Sequence, residues 1–121
     1  MVVCVPPLTL ELADLVARRF AILGEPSRLR LLDALHERGE ASVGDLSDAL
    51  SASHANVSKH LNLLLGERMV ARRREGQRAL YRISDPSLIR LCEEVCDGVR
   101  QGLHELNALL GEPTTNQETL P

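Results

Sequence analysis

Aromatic side chains are nearly absent: the 121 residues hold one Phe, one Tyr and no Trp. A core must therefore be assembled from Leu, Val, Ile and Ala, which suits a small helical domain. No apolar run approaches the roughly 20 residues that a membrane-spanning helix needs. Met1 to Pro7 has neither the basic start nor the apolar stretch of a secretory leader, so a cytoplasmic chain is expected. Cysteine is sparse and odd in number, three in all, which favours reduced thiols over a disulfide framework. There is no H-E-x-x-H, no phosphate-cradling glycine loop and no recognisable nucleophile with its base, so neither an enzyme nor a required cofactor is expected.

What is present is organised around Ser42 to Ile83. Val43, Leu46, Ala49 and Leu50 recur at helical spacing, with Ser42 as N-cap and Asp45 three residues later in near capping-box position. After a break at Ser51-Ala52-Ser53, Val57, Leu61, Leu64 and Leu65 mark a second helix that Gly66 closes. Two helices joined by so short a turn, the second opening on small polar residues, make a helix-turn-helix. A helix that enters a major groove about 12 Å wide must lead with small or hydrogen-bonding side chains. Ser51, Ser53, His54, Asn56, Ser58, Lys59 and His60 meet that need; an ordinary amphipathic helix with a solvated polar face has the same pattern. His60 adjoins Leu61 and can equally be read at the edge of the core.

A basic hairpin follows. Met69 to Arg74 and Arg78 to Ile83 read as two strands around Glu75-Gly76-Gln77, with Leu80 and Arg82 on one face and Ala79, Tyr81 and Ile83 on the other. From Ser53 to Ile83 there are seven Lys and Arg against two Glu, a net of +5 in a chain of net −3, which leaves −8 elsewhere. A basic patch in an acidic protein is an electrostatic footprint for phosphate. Arg72, Arg73, Arg74 and Arg78, with Gln77 at the turn, are assigned to phosphate or minor-groove contact. The alternative is a solvated charge run that guards a strand edge.

The segments Leu23-Gly24-Glu25-Pro26-Ser27-Arg28-Leu29-Arg30-Leu31-Leu32, Val43-Gly44-Asp45-Leu46, Asn56-Val57-Ser58-Lys59-His60-Leu61, Arg74-Glu75-Gly76-Gln77-Arg78 and Leu80-Tyr81-Arg82 resemble the ArsR/SmtB family of winged-helix repressors. The resemblance runs from about Leu8 to Leu110. It implies a mainly α fold with a β-hairpin wing (α+β), a winged helix-turn-helix that dimerises through its first and last helices. It also implies an operator in double-stranded DNA with imperfect inverted-repeat symmetry. The expected organisation is a flexible arm over 1–9, the DNA-binding and dimerisation domain over 10–110, and a disordered tail over 111–121.

Outside the central module, Thr9 caps an expected helix from Leu10 to Leu23, with Leu12, Leu15, Val16, Arg19, Phe20 and Leu23 on one side. A second helix runs from Pro26 to Arg38, with Leu29, Leu32, Ala34 and Leu35 inward and Arg28, Arg30 and His36 outward, and Gly39 stops it. Asp85-Pro86 starts a last helix that runs to Leu110. Its apolar stripe (Leu88, Leu91, Cys92, Val95, Cys96, Val99, Leu103, Leu106 and Leu110) is too long for so small a domain to cover alone.

Zinc-sensing members of the resembled family carry ligands on the last helix. Asp85 matches the first position, but Ser87, Gly98 and Gln101 stand at the others. A second family site needs a Cys where this chain has Ala41-Ser42-Val43-Gly44-Asp45. Cys92 and Cys96, one turn apart, are the remaining candidates, with Cys4 as a third sulfur. Three readings are open for them: a soft metal or metalloid site taking arsenite, cadmium or lead as inducer, a redox or persulfide sensor, and plain core packing. Asp97, His104 and Glu105 are read as solvated. For the whole chain, a winged helix used as a protein-interaction module is the competing class, and the four wing arginines argue against it.

Overall fold

The computed structural model describes residues 7–111, so Cys4, most of the expected arm and nearly all of the expected tail lie outside the described residues. The chain divides into two units, the first ending at Asp85 and the second beginning at Pro86. The element order is α1 (Leu10–Leu23), α2 (Pro26–Arg38), α3 (Val43–Leu50), α4 (His54–Gly66), β1 (Val70–Glu75), β2 (Arg78–Ile83) and α5 (Pro86–Leu110).

Local chemistry places nearly every boundary. Thr9 Oγ1 accepts the Leu12 amide at 3.1 Å and starts α1. Glu25 caps α2 by accepting the amides of Ser27 and Arg28, and Pro26 takes the first position, where a missing N–H costs nothing. A complete capping box opens α3: Ser42 Oγ accepts the Asp45 amide at 3.1 Å, and Asp45 Oδ2 accepts the Ser42 amide at 3.2 Å. Ser53 Oγ accepts the Asn56 amide and starts α4. Gly39, at φ 80, ends α2. Gly66 is the last residue of α4, yet the left-handed residue lies two positions on, at Arg68 with φ 60.

The turn between α3 and α4 is Ser51-Ala52-Ser53. Ser51 is left-handed (φ 51, ψ 46), and the Ser47 hydroxyl donates to the Ala52 carbonyl across the turn. A Cβ in this region costs about 1–2 kcal/mol, and a β-branched one is worse. Ser51→Val is therefore expected to lower stability in a urea titration. Ser51→Gly is expected to be near neutral, because relief of strain is offset by a freer unfolded chain.

Leu31, Leu35, Leu46, Leu61, Leu64 and Met69 form the fully buried centre of the first unit, and α2 touches α1, α3, α4 and β2. This corrects the expected faces of α2. Leu31, not Leu29, points inward; Leu29 is 41% exposed. Arg28 does not look outward: it is half-buried and donates to the Ile22 carbonyl at 2.6 Å. With α3, α4 and β2 all packed on α2, its buried stripe rotates toward Leu31, Leu32 and Leu35. At its other end, α1 is tied down by Arg18, which donates twice to Glu67, and by Arg19, which pairs with Asp85.

The strands pair antiparallel from Val70↔Ile83 to Glu75↔Arg78, so the loop is two residues, Gly76-Gln77. Gly76 has φ 63 while Gln77 does not share a positive φ, as a type II′ turn requires, and glycine accepts that angle without strain. Glu75 belongs to the strand rather than the turn. Leu80 and Tyr81 are adjacent, point to opposite faces and are both buried, so β2 does not show the simple alternation expected. The middle of β2 is enclosed because α2 packs on it and Ala41 bridges its free edge, exchanging two backbone hydrogen bonds with Tyr81.

The second unit is α5. Leu88 is buried, but Val95, Val99, Leu106, Leu109 and Leu110 are between 49% and 83% exposed, which leaves the apolar stripe uncovered from Val95 onward. Among the described residues no helix is long and apolar enough to cross a membrane.

Candidate nucleic-acid interface

Helix α4 is fixed to the body by Val57, Leu61 and Leu64, all buried. The same periodicity leaves His54, Asn56, Lys59 and Asn62 exposed and Ser58 half-buried on the other side. Ser51 and Ser53 are exposed at the preceding turn, where the Ser53 hydroxyl is already used as the cap. His60 differs from its neighbours. Its side chain is 16% exposed, with Nδ1 3.4 Å from Arg28 Nη1 and Nε2 3.7 Å from Glu25 Oε2. It joins α4 to the start of α2, at the edge of the core. Glu25 is held below the usual carboxylate range, first by the Ser27 amide and more weakly by the charges of His60 and Arg28. A shallow cleft between α2 and α4 brings Ser27 and Arg30 beside Asn56 and His60. Arg30 thus extends the basic surface onto α2, a placement no local pattern in the sequence reveals.

In the hairpin, Arg72, Arg73, Arg74, Gln77 and Arg78 are all exposed. The four arginines nevertheless fall into two kinds. Arg73 grips Glu40 with two donors, at 2.6 and 2.7 Å, and reaches Glu75 at 3.2 Å. Arg78 donates to Asp45 at 2.9 Å and to Ser42 Oγ at 3.2 Å. Arg72 and Arg74 have no side-chain partner among the described residues. The charges register these contacts. Arg73 holds the Glu40 carboxyl below its ordinary range and is itself raised by Glu40. Asp45 is lowered first by the Ser42 amide and less by Arg78. Glu40 and Asp45 meet the wing through contacts that no local pattern in the sequence displays, since each lies 33 residues from its arginine.

The expected cysteine site is not assembled within the described residues. Cys92 is half-buried and Cys96 exposed on α5. No group of three His, Cys, Asp or Glu side chains there is close enough together to hold a metal ion. The residues at the resembled zinc positions do not fit that ion either. Asp85 pairs with Arg19, Gln101 donates to Glu105, and Gly98 offers no donor.

A helix-turn-helix followed by a basic two-stranded hairpin is a winged helix-turn-helix, a DNA-binding architecture. Residues 23–73 match the model of a helix-turn-helix domain family. The chain is 37% identical over 94 residues to a transcriptional repressor SmtB homolog of Synechocystis, covering 78% of this chain and 70% of the relative. Among solved structures it is similar to the antimony-specific transcriptional repressor AntR, with a TM-score of 0.73 and 32% identity over 80% of this chain and 87% of the other. It is also similar to the homodimeric winged helix-turn-helix DNA-binding domain of Mb0332 from Mycobacterium bovis, a possible ArsR-family regulator. That likeness has a TM-score of 0.70 and 33% identity over 78% and 87% of the two chains. The chain belongs to the ArsR/SmtB family of winged helix-turn-helix transcriptional repressors.

Proposed function

We propose that the protein is a cytoplasmic homodimeric repressor that binds an imperfect inverted-repeat operator and leaves it when a soft metal or metalloid binds cysteine thiolates. The domain that does this spans 10–110, between an N-terminal arm and a C-terminal tail. Ser51, Ser53, His54, Asn56, Ser58 and Lys59 face base edges, His60 braces α4 against α2 through Glu25 and Arg28, and the wing meets phosphate. The observation that carries the reading is the exposed polar edge of α4 beside a hairpin with two arginines that have no side-chain partner among the described residues. Dimerisation is supported by the bare apolar stripe of α5 and by exposed Leu10, Leu15 and Phe20 on α1. The Mb0332 domain is homodimeric. In such a dimer two recognition helices stand about one DNA turn apart.

The inducer class rests on Cys92 and Cys96, thiols at i, i+4 on α5, of which Cys96 is exposed. Two sulfurs need a third to make the trigonal site that soft ions favour, and Cys4 of the arm is the remaining cysteine. Relatives named for arsenical, mercury and antimony resistance or specificity support soft, thiophilic ions as the class. Release then follows as a population shift, the ion binding the DNA-incompetent state better than the competent one.

The test is fluorescence anisotropy of the reduced protein on DNA from upstream of its own gene, titrated in turn with arsenite, antimonite, cadmium, zinc and a persulfide donor. Cys92→Ser and Cys96→Ser are expected to keep DNA binding and lose release by the one effective thiophile. Release by the persulfide donor alone would assign redox sensing. Loss of dimerisation in both variants, with no response in the wild type, would make the two cysteines packing residues.

A further inference from the structure

We propose that Glu40 and Asp45 are positioning residues for the wing: by holding Arg73 and Arg78 they orient the hairpin so that Arg72 and Arg74 make its phosphate contacts. This rests on the DNA-binding reading above and divides its labour among four arginines that look alike in the sequence.

Successive residues of a strand point to opposite faces, so Arg72 and Arg74 share one face of β1 and Arg73 takes the other. Arg73 is satisfied by two carboxylates, the fork geometry on Glu40 being the strong bidentate form. Arg78, on the partner strand, reaches an Asp45 that already closes the capping box of α3. Each strand of the hairpin is thereby tied to the segment that opens the helix-turn-helix. Between the two ties, Ala41 is hydrogen-bonded to Tyr81 through the backbone. Three attachments, one on β1 and two on β2, define how the wing stands relative to α3. Exposed ion pairs add little to global stability, so the consequence of these is orientation. Arg73, held by carboxylates on the face of β1 opposite Arg72 and Arg74, is not placed to release counterions from DNA, whereas Arg72 and Arg74 are.

The test uses a mixed-sequence duplex, because phosphates are common to every sequence, and measures affinity against salt concentration. Arg72→Gln and Arg74→Gln are each expected to reduce the slope of log affinity against log salt by about 0.9. Arg73→Gln and Glu40→Gln are expected to leave the slope unchanged and to weaken binding several-fold. The exchanged pair Glu40→Arg with Arg73→Glu is expected to restore affinity. In the DNA-free protein, hydrogen exchange of the hairpin amides should quicken in Arg73→Gln and Glu40→Gln and recover in the exchanged pair. Glu40→Gln binding DNA more tightly with a steeper slope would overturn the proposal, making the carboxylates competitors of phosphate. So would an exchanged pair that stays weak, or hairpin exchange indifferent to both single variants. A wild type with no salt-dependent DNA affinity would defeat the DNA-binding reading instead, while the exchange measurement still reports whether the ties hold the hairpin.

Discussion

Leu61→Ala is expected to remove about 2–5 kcal/mol of stability, read as a lower urea midpoint with an unchanged slope. Leu61 is fully buried and lies on α4, the second helix of the helix-turn-helix. Its side chain sits between Val57 and Leu64 on the one face by which α4 is held. The substitution loses transfer free energy and also leaves a cavity, since neighbours fixed by helices on several sides relax only in part. A domain of this size has a margin of about 5–15 kcal/mol, so this single change takes a large share of it. The contrasting site is Leu29, the same residue type on α2 but 41% exposed. Leu29→Ala is expected to stay within about 0.5 kcal/mol of the wild type, as ordinary surface substitutions do. Equal losses at the two positions would mean that the buried face of α2 lies elsewhere than on Leu31 and Leu35.

A pair of charges on the bare stripe of α5 should have the largest effect on binding. Val99 is 57% exposed and Leu106 49% exposed, two turns apart on one face. Aspartates at both positions leave an isolated helix soluble but place unpaired charge in any symmetric contact between two copies. Val99→Asp with Leu106→Asp is therefore expected to sediment as a monomer. Operator affinity should fall by about 10²–10⁴-fold, because the second recognition helix no longer benefits from the effective concentration of a linked site. Core stability, followed on the first unit, should change little. A variant that remains dimeric with normal operator affinity would place the dimer contact away from this stripe.

Much of this was legible along the chain. Thr9, Pro26, Gly39, Ser42 with Asp45, and Ser53 each act on backbone groups within four residues, and so mark their helices before any tertiary contact is known. The hairpin was legible for the same reason, because Gly76 supplies a backbone angle that the turn itself demands. Apart from the element ends at Glu75 and Gly66, the misreadings concern which side of an element faces what. Leu29 and Leu31 are both leucines on one helix, and only the packing of α3, α4 and β2 chooses between them. Arg28 looks like a surface charge until the Ile22 carbonyl, six residues back, is brought to its guanidinium by the bend at Gly24 and Glu25.

The candidate interface divides along the same line. Helix-turn-helix, wing and the basic excess between Ser53 and Ile83 are properties of spacing and composition, and the sequence by itself determined them, the helices and hairpin through local hydrogen bonding and hydrophobic periodicity. Which arginines remain open to phosphate was decided only by tertiary structure. Glu40 and Asp45 lie 33 residues from Arg73 and Arg78 respectively, and folding brings each carboxylate within 3 Å of a guanidinium. The attraction between charges falls off with distance in space and not along the chain. Four arginines equal in sequence therefore become two that are neutralised by their neighbours and two that are not.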